Sequence, residues 1–354
     1  MIRILVVSAS PSEAHLLAHI LSSDTTMEIV GISPDGKLAL SDIPRLKPDV
    51  VIMDMYMPRL DGIEATQIIM EKFPLPIILL KETKNSSNRN MTTSGLDAGA
   101  LQVVIKPHPF GHEDLMEDGQ QLIRIVKAMS EVKVIRRIKT DKFTLPLAKR
   151  IKNLVTPQEF TLVVVGSSTG GPAVLKTIFS ALPMDFPVPI LVVQHMAPGF
   201  IEGLAKWITT VAGIPALVAQ NGETIHPRQV YFAPDGFQML VQKEGKITLS
   251  RENVQKNNQP SVSRLFASVA QTLGKKAIGV LLTGMGDDGA KELKIMRDYG
   301  GITIAQNQES SVVYGMPGEA VKLDAADYIL SPLEIALVLE RLVCSQGIRT
   351  RPQI

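Results

Sequence analysis

Short, strongly apolar runs recur along this chain and are separated by segments with helical periodicity. "IRILVV", "DVVIMDM", "PLPIILL" and "ALQVVIKP" mark the first part; "TLVVVG", "PVPILVVQH", "QVYFAP", "AIGVLLTG" and "GITIAQ" mark the second. Strands that alternate with helices must return by crossover connections, which makes the sheet parallel and covers both of its faces. Helix signals fill the gaps. Ser10 stands as an N-cap before Pro11, with Glu13 placed to close a capping box. In "SRLFASVAQTLG", Leu265, Phe266, Val269 and Leu273 share one helical face. At 354 residues the chain is long for a single core. The rhythm weakens near Lys133 and resumes after Pro157. The expected organisation is therefore two α/β units, 1–133 and 159–354, joined by a linker at 134–158.

Composition excludes several classes. Hydrophobic residues make up 45% and charged residues 20%, as in an ordinary globular protein. No apolar run approaches the roughly 20 residues of a membrane span, and Ile4 to Val7 is too short for a signal-peptide core. Cys344 is the single cysteine, so no intramolecular disulfide can form and a reducing, cytoplasmic setting is expected. The net charge of +2 hides a basic stretch from Arg124 to Lys152, with ten basic residues against Glu131 and Asp141. Phe143 is its lone aromatic, so a solvated linker that can touch an acidic partner is favoured over a nucleic-acid surface. Neither nucleic-acid binding nor membrane insertion is expected.

Chemistry concentrates at the ends of three apolar runs in the second unit. "VVVGSSTGGP" (163–172) can be read as a phosphate cradle, as a turn exposing a nucleophilic serine, or as a capped strand-to-helix connection. It lacks the Lys-[Ser/Thr] ending of a phosphate-binding loop. His195 closes "ILVVQH", and Asp287 and Asp288 follow "GVLLTG". In open parallel sheets ligands gather beyond the carboxyl ends of the strands. A hydroxyl, an imidazole and a carboxylate there could supply a nucleophile, its base and the group that orients the base. Individually each has a plainer reading: turn and cap chemistry for Ser168, a hydrogen-bonded core histidine for His195, a helix cap for the aspartates. Calcium lacks further oxygen ligands nearby, and the scattered histidines show no zinc spacing.

Taken in order, "VVVGSSTGGP", "QHMAPGF", "VYFAP", "QPSVSRLF", "LLTGMGDDGA" and "IAQNQESSVVYGMPGEA" resemble the chemotaxis protein-glutamate methylesterases, the CheB family. The first unit is similar to a response-regulator receiver, that family's usual regulatory domain. The resemblance implies a flavodoxin-like receiver and a Rossmann-like α/β methylesterase domain, both doubly wound parallel sheets. It implies hydrolysis of glutamate methyl esters on the cytoplasmic helices of chemoreceptors, with release of methanol, and deamidation of receptor glutamines. Carried over, Ser168 is the nucleophile, His195 the base and Asp288 the orienting carboxylate. The Met285 and Thr169 amides would stabilise the oxyanion. Catalysis would need no metal or organic cofactor. A chemotaxis histidine kinase is a further partner the resemblance admits. Gln238, Gln259 and Ser263 stand where histidine, arginine and aspartate are usual; these are expected to alter substrate contacts without touching the triad. Two other readings stay open, an idle signalling adaptor and a serine hydrolase acting on another ester or amide.

The receiver half departs further. Asp54 in "DVVIMDMYMPRLDG" aligns with the phosphoacceptor and Lys106 of "IKP" with the phosphoryl-contacting lysine. Ser8 and Ala9 replace the acidic pair that would hold Mg²⁺, which argues against binding of that ion. Lys81 takes the place of the switch hydroxyl, Thr83 lying two positions on. An ion pair between Lys81 and Asp54 is expected, in a degenerate receiver that is poorly phosphorylated.

Overall fold

The computed structural model describes residues 1–82, 91–130, 132, 159–251 and 260–344. The expected linker 134–158, Thr83 and Gln259 lie outside these described residues. The chain divides into two compact units, Met1–Lys139 and Thr140–Ile354.

The first unit alternates strand and helix throughout: β1 (Ile2–Val7), α1 (Pro11–Ser22), β2 (Met27–Ser33), α2 (Gly36–Leu46), β3 (Val50–Asp54), α3 (Gly62–Lys72), β4 (Ile77–Lys81), α4 (Met91–Ala98), β5 (Gln102–Ile105) and α5 (Leu115–Ser130). The strands pair in the order β2-β1-β3-β4-β5, all parallel. This is the flavodoxin-like order, in which the chain reverses its direction of travel across the sheet between β1 and β3. Leu5, Val7, Val51, Met53, Ile77 and Leu79 build one buried face with period two. Their neighbours Ile4, Val6, Ile52 and Ile78 are buried on the other, so the central strands are apolar without interruption. Edge strand β2, "MEIVGIS", is only partly buried and shows no clean apolar run, which hides it from a sequence reading. The Ser10 hydroxyl caps α1 by accepting from Glu13 N at 3.4 Å. The capping box stays half-formed: the Ser10 N–H donates to Ser8 Oγ, and the Glu13 carboxylate turns to Lys106 at 2.6 Å.

The second unit contains β6 (Leu162–Ser167), α6 (Gly171–Ala181), β7 (Ile190–Gln194), α7 (Ile201–Ala212), β8 (Ala216–Val218), β9 (Val230–Phe232), β10 (Gln238–Val241), β11 (Ile247–Ser250), α8 (Val262–Leu273), β12 (Ala277–Leu281), α9 (Ala290–Asp298), β13 (Ile302–Gln306), α10 (Met316–Lys322), β14 (Tyr328–Leu330) and α11 (Pro332–Cys344). Seven strands form one parallel sheet in the order β14-β13-β12-β6-β7-β9-β8. Val163, Val165, Ile190, Val192, Ile278 and Val280 face one helical layer, and Leu162, Val164, Leu191, Val193, Ala277 and Leu281 face the other. The edge strands β8 and β14 have three residues each, too few to display a period. The antiparallel hairpin β10–β11 departs from an all-parallel expectation and pairs outside the main sheet.

Candidate active site

Strand order decides what the three reactive strand ends can do together. β6 lies between β12 and β7, so the segments that follow these three adjacent strands share one edge of the sheet. Ser168 follows β6, His195 follows β7, and Asp288 follows β12. The later strands β12, β13 and β14 are added on the opposite side of β6 from β7, which makes the β6/β12 boundary the topological switch point.

The sequence around Ser168 builds a tight turn. Ser168 O accepts from Gly171 N at 2.8 Å, and Gly170 sits at φ 78°, ψ −8°. A type II turn needs that conformation at its third position, and glycine supplies it without a steric cost. A Cβ at Gly170 would also overlap Val312. Helix α6 then starts with Pro172 in its first turn, and no side chain caps it. Ser168 is therefore not a cap. Its half-buried Oγ makes no hydrogen bond among the described residues, while Ser167 is wholly buried and donates to Gln194 Oε1 at 2.6 Å.

His195 and Asp288 are brought together. His195 Nε2 lies 3.0 Å from Asp288 Oδ2, but off the ring N–H direction, so the contact is a close ion-pair distance and not an aligned hydrogen bond. A Ser168–His195 hydrogen bond is not formed. Such bonds often tighten only when substrate is bound. Asp288 is held by more than the histidine. Oδ1 accepts from Ser261 Oγ (2.9 Å) and Ser263 N (3.0 Å), and Oδ2 from Val262 N (2.8 Å). The carboxylate thus caps the N-terminus of α8 from a distant loop. Burial alone would raise its pKa, but His195 and the donors of Ser263 outweigh this and hold it well below the usual carboxylate range. Asp287 is exposed.

Two of the residues that depart from the family pattern stand close behind Asp288. Ser263 donates its backbone N–H to Asp288, and its hydroxyl bridges Gly289 N to Glu292. Gln238 Oε1 accepts from Ser261 N at 2.8 Å, fixing the residue whose hydroxyl holds Asp288. The Ser263 contact with Asp288 is a backbone N–H that any residue there would offer, and Gln238 is linked to Asp288 through Ser261.

Backbone donors complete the edge. The N–H groups of Thr169 and Met285 have no acceptor among the described residues. Their partner carbonyls are both tied inward. Ser168 O accepts from Gly171 N and Gln194 Nε2, and Gly284 O accepts from Gly315 N and Met316 N. In a trans peptide the N–H points away from its carbonyl, so both free N–H groups are directed out of the packed interior. A Cβ at Gly284 would come within 2.7 Å of Ser168 Cβ, so the Met285 peptide lies next to the serine.

Residues 163–339 match the family model described as CheB methylesterase, and residues 4–120 match the response regulator receiver domain. The chain is 48% identical over 349 residues to "Protein-glutamate methylesterase/protein-glutamine glutaminase 1" of Syntrophus aciditrophicus, covering 98% of this chain and 99% of that one. The chain belongs to the CheB methylesterase family. A second relative, from Nitrosospira multiformis and of the same named activity, is 43% identical and covers 98% of each chain. The crystal structure of the Thermotoga maritima CheB methylesterase catalytic domain superposes with a TM-score of 0.50 at 39% identity, covering 52% of this chain and all of that one.

In the receiver domain of this CheB-family protein, Asp54 ends β3 and is buried. Ser8 Oγ donates to Asp54 Oδ2 at 2.6 Å. Lys106 Nζ stands 3.0 Å from Oδ1 and 2.6 Å from Glu13 Oε2. Lys106 thus brings an ammonium to Asp54, where the expectation had named Lys81. Lys81 is itself buried, which lowers its pKa. Burial raises the Asp54 pKa despite the opposing effects of Ser8 and Lys106. Lys106 loses proton affinity to burial but gains more from Glu13 and Asp54, and ends above its ordinary value. A Mg²⁺ ion does not fit this pocket. The acidic pair is absent, Ala9 offers no side-chain donor, and one oxygen of Asp54 faces a hydroxyl and the other an ammonium.

Among the described residues, His108, His112 and Asp114 are the group whose ligand atoms come closest to a metal set, within 4.8 Å of one another. The two imidazoles are four residues apart, a spacing the sequence reading overlooked. Their rings stack at 4.0 Å with planes 13° apart, so their in-plane lone pairs do not converge on one ion.

Proposed function

We propose that this protein hydrolyses glutamate methyl esters on the cytoplasmic helices of chemoreceptors, releasing methanol, and deamidates receptor glutamines with release of ammonia. The observation that carries the reading is the placement of Ser168, His195 and Asp288 on three neighbouring strand ends, beside two amides that have no acceptor among the described residues. Ser168 Oγ attacks the acyl carbon. With Nε2 against Asp288, the ring nitrogen left to take the serine proton is Nδ1, and that proton then passes to the departing methoxide or amine. The Met285 and Thr169 N–H groups receive the oxyanion of the tetrahedral intermediate. Water, deprotonated by His195, releases the carboxylate from Ser168. None of these steps calls on a metal or an organic cofactor. Methanol release from methylated receptor in membranes is the test, with Ser168→Ala as control. Release at the wild-type rate by that variant would refute the assignment of the nucleophile.

We further infer that Asp54 is a poor phosphoacceptor. Ser8 donates to one of its oxygens and the Lys106 ammonium stands 3.0 Å from the other, so the charge that normally binds Mg²⁺ is partly offset from within the protein. A chemotaxis histidine kinase would then dock without transferring phosphate efficiently. Stoichiometric labelling of Asp54 by a small phosphodonor with Mg²⁺ would refute this.

A further inference from the structure

We propose that Gln194 is a positioning residue that locks the nucleophile turn, the Thr169 amide and the base strand into one unit. The proposal rests on the hydrolase reading above but adds a residue to which that reading gave no role. Gln194 is the last residue of β7 and is 2% exposed. Its Oε1 accepts from Ser167 Oγ at 2.6 Å, and its Nε2 donates to Ser168 O and to His195 O, both at 2.8 Å. One side-chain amide therefore binds the residue before the nucleophile, the nucleophile's own carbonyl and the carbonyl of the base.

The physical consequence follows from peptide geometry. Nε2 pulls the Ser168 carbonyl inward, and Gly171 N does the same from the turn. The N–H on the opposite side of that peptide, Thr169, is thereby turned away from it, with no acceptor among the described residues. On the β7 side, the same nitrogen holds the peptide that follows His195, whose own N–H donates to Ser167 O at 2.9 Å. The arrangement requires glycine at 171, since a Cβ there would overlap Gln194 Oε1. A buried amide with its acceptor and both donor directions used has one low-energy orientation, so it transmits position and not mere packing.

The decisive variant is Gln194→Met in the full chain, which keeps length and shape but removes both donors and the acceptor. Methanol release from methylated receptor gives kcat and KM, a fluorophosphonate probe gives the rate of Ser168 labelling, and thermal melting reports folding. For folded Gln194→Met we expect kcat to fall on the order of 100-fold, with KM changed less than about twofold and labelling slowed in parallel. A role in folding alone would lower activity only in proportion to the folded fraction. A folded variant with kcat within about threefold of wild type, or with KM alone raised, overturns the proposal. If Gln194→Met does not fold, Ser167→Ala removes one anchor with little change of volume. A roughly tenfold loss of kcat is expected there, and an unchanged kcat overturns the proposal equally. Should wild type label at Ser168 yet release no methanol, the substrate assignment fails while the labelling rates still decide the role of Gln194.

Discussion

At Asp288, donors from three residues meet two carboxylate oxygens: the Ser261 hydroxyl and the Val262 and Ser263 amides, with the His195 ring nitrogen 3.0 Å from Oδ2. The group proposed to orient the base also caps α8, so its substitution has separable effects. Asp288→Asn replaces an acceptor with a donor facing His195, and kcat is expected to drop on the order of 10³–10⁴-fold, as in other triads. Steady-state methanol release checks this. The depressed pKa also has a thermodynamic sign. A carboxyl whose folded pKa lies below its unfolded value of about 3.9 stabilises the protein fully above that value and loses this as pH falls toward the folded pKa. The difference in Tm between wild type and Asp288→Ala should therefore narrow on acidification below about pH 4. Asp54 carries the opposite sign. Its raised pKa means that folding disfavours the ionised form, so wild type should gain Tm relative to Asp54→Asn as pH falls through that pKa. Carboxyl NMR should show Asp54 titrating above, and Asp288 below, the ordinary range.

The turn between β6 and α6 is an element whose form was largely legible in sequence. Two glycines and a proline after an apolar run announce a sharp strand-to-helix connection, and Gly170 does adopt the left-handed conformation such a turn uses. Gly170→Ala should cost about 1–2 kcal/mol from backbone conformation, with the overlap at Val312 adding to it. Denaturant unfolding measures the cost, and a lower kcat should accompany it because the Thr169 amide shifts. Helix α1 was legible at Ser10 but not at Glu13, whose capping role competes with a lysine 93 residues away. Hairpin β10–β11 and the short edge strands escaped because each is too brief to show a period. Gln194 and Ser261 escaped for another reason: a buried amide or hydroxyl has no signature until its partners are known.

On the scale of the whole molecule, two parallel sheets place one reactive edge in the hydrolase domain and one modified acidic pocket in the receiver. No helix among the described residues is long and apolar enough to cross a membrane. If Asp54 accepts phosphate poorly, methanol release by the full chain should be unchanged by a small phosphodonor with Mg²⁺. A several-fold acceleration that Asp54→Ala abolishes would count against that view. The α/β class, the strand ends that carry Ser168, His195 and Asp288, and the loss of the acidic pair at Ser8 and Ala9 are all legible in the order of residues. These depend on local periodicity and residue identity. The tertiary structure was needed to show that β6 lies between β7 and β12, that Lys106 meets Asp54, and that Gln194 ties the Ser168 and His195 strand ends together. Strand neighbours and partners of buried polar groups are set by contacts between segments far apart in the chain, and a linear pattern does not encode which of several available partners is reached.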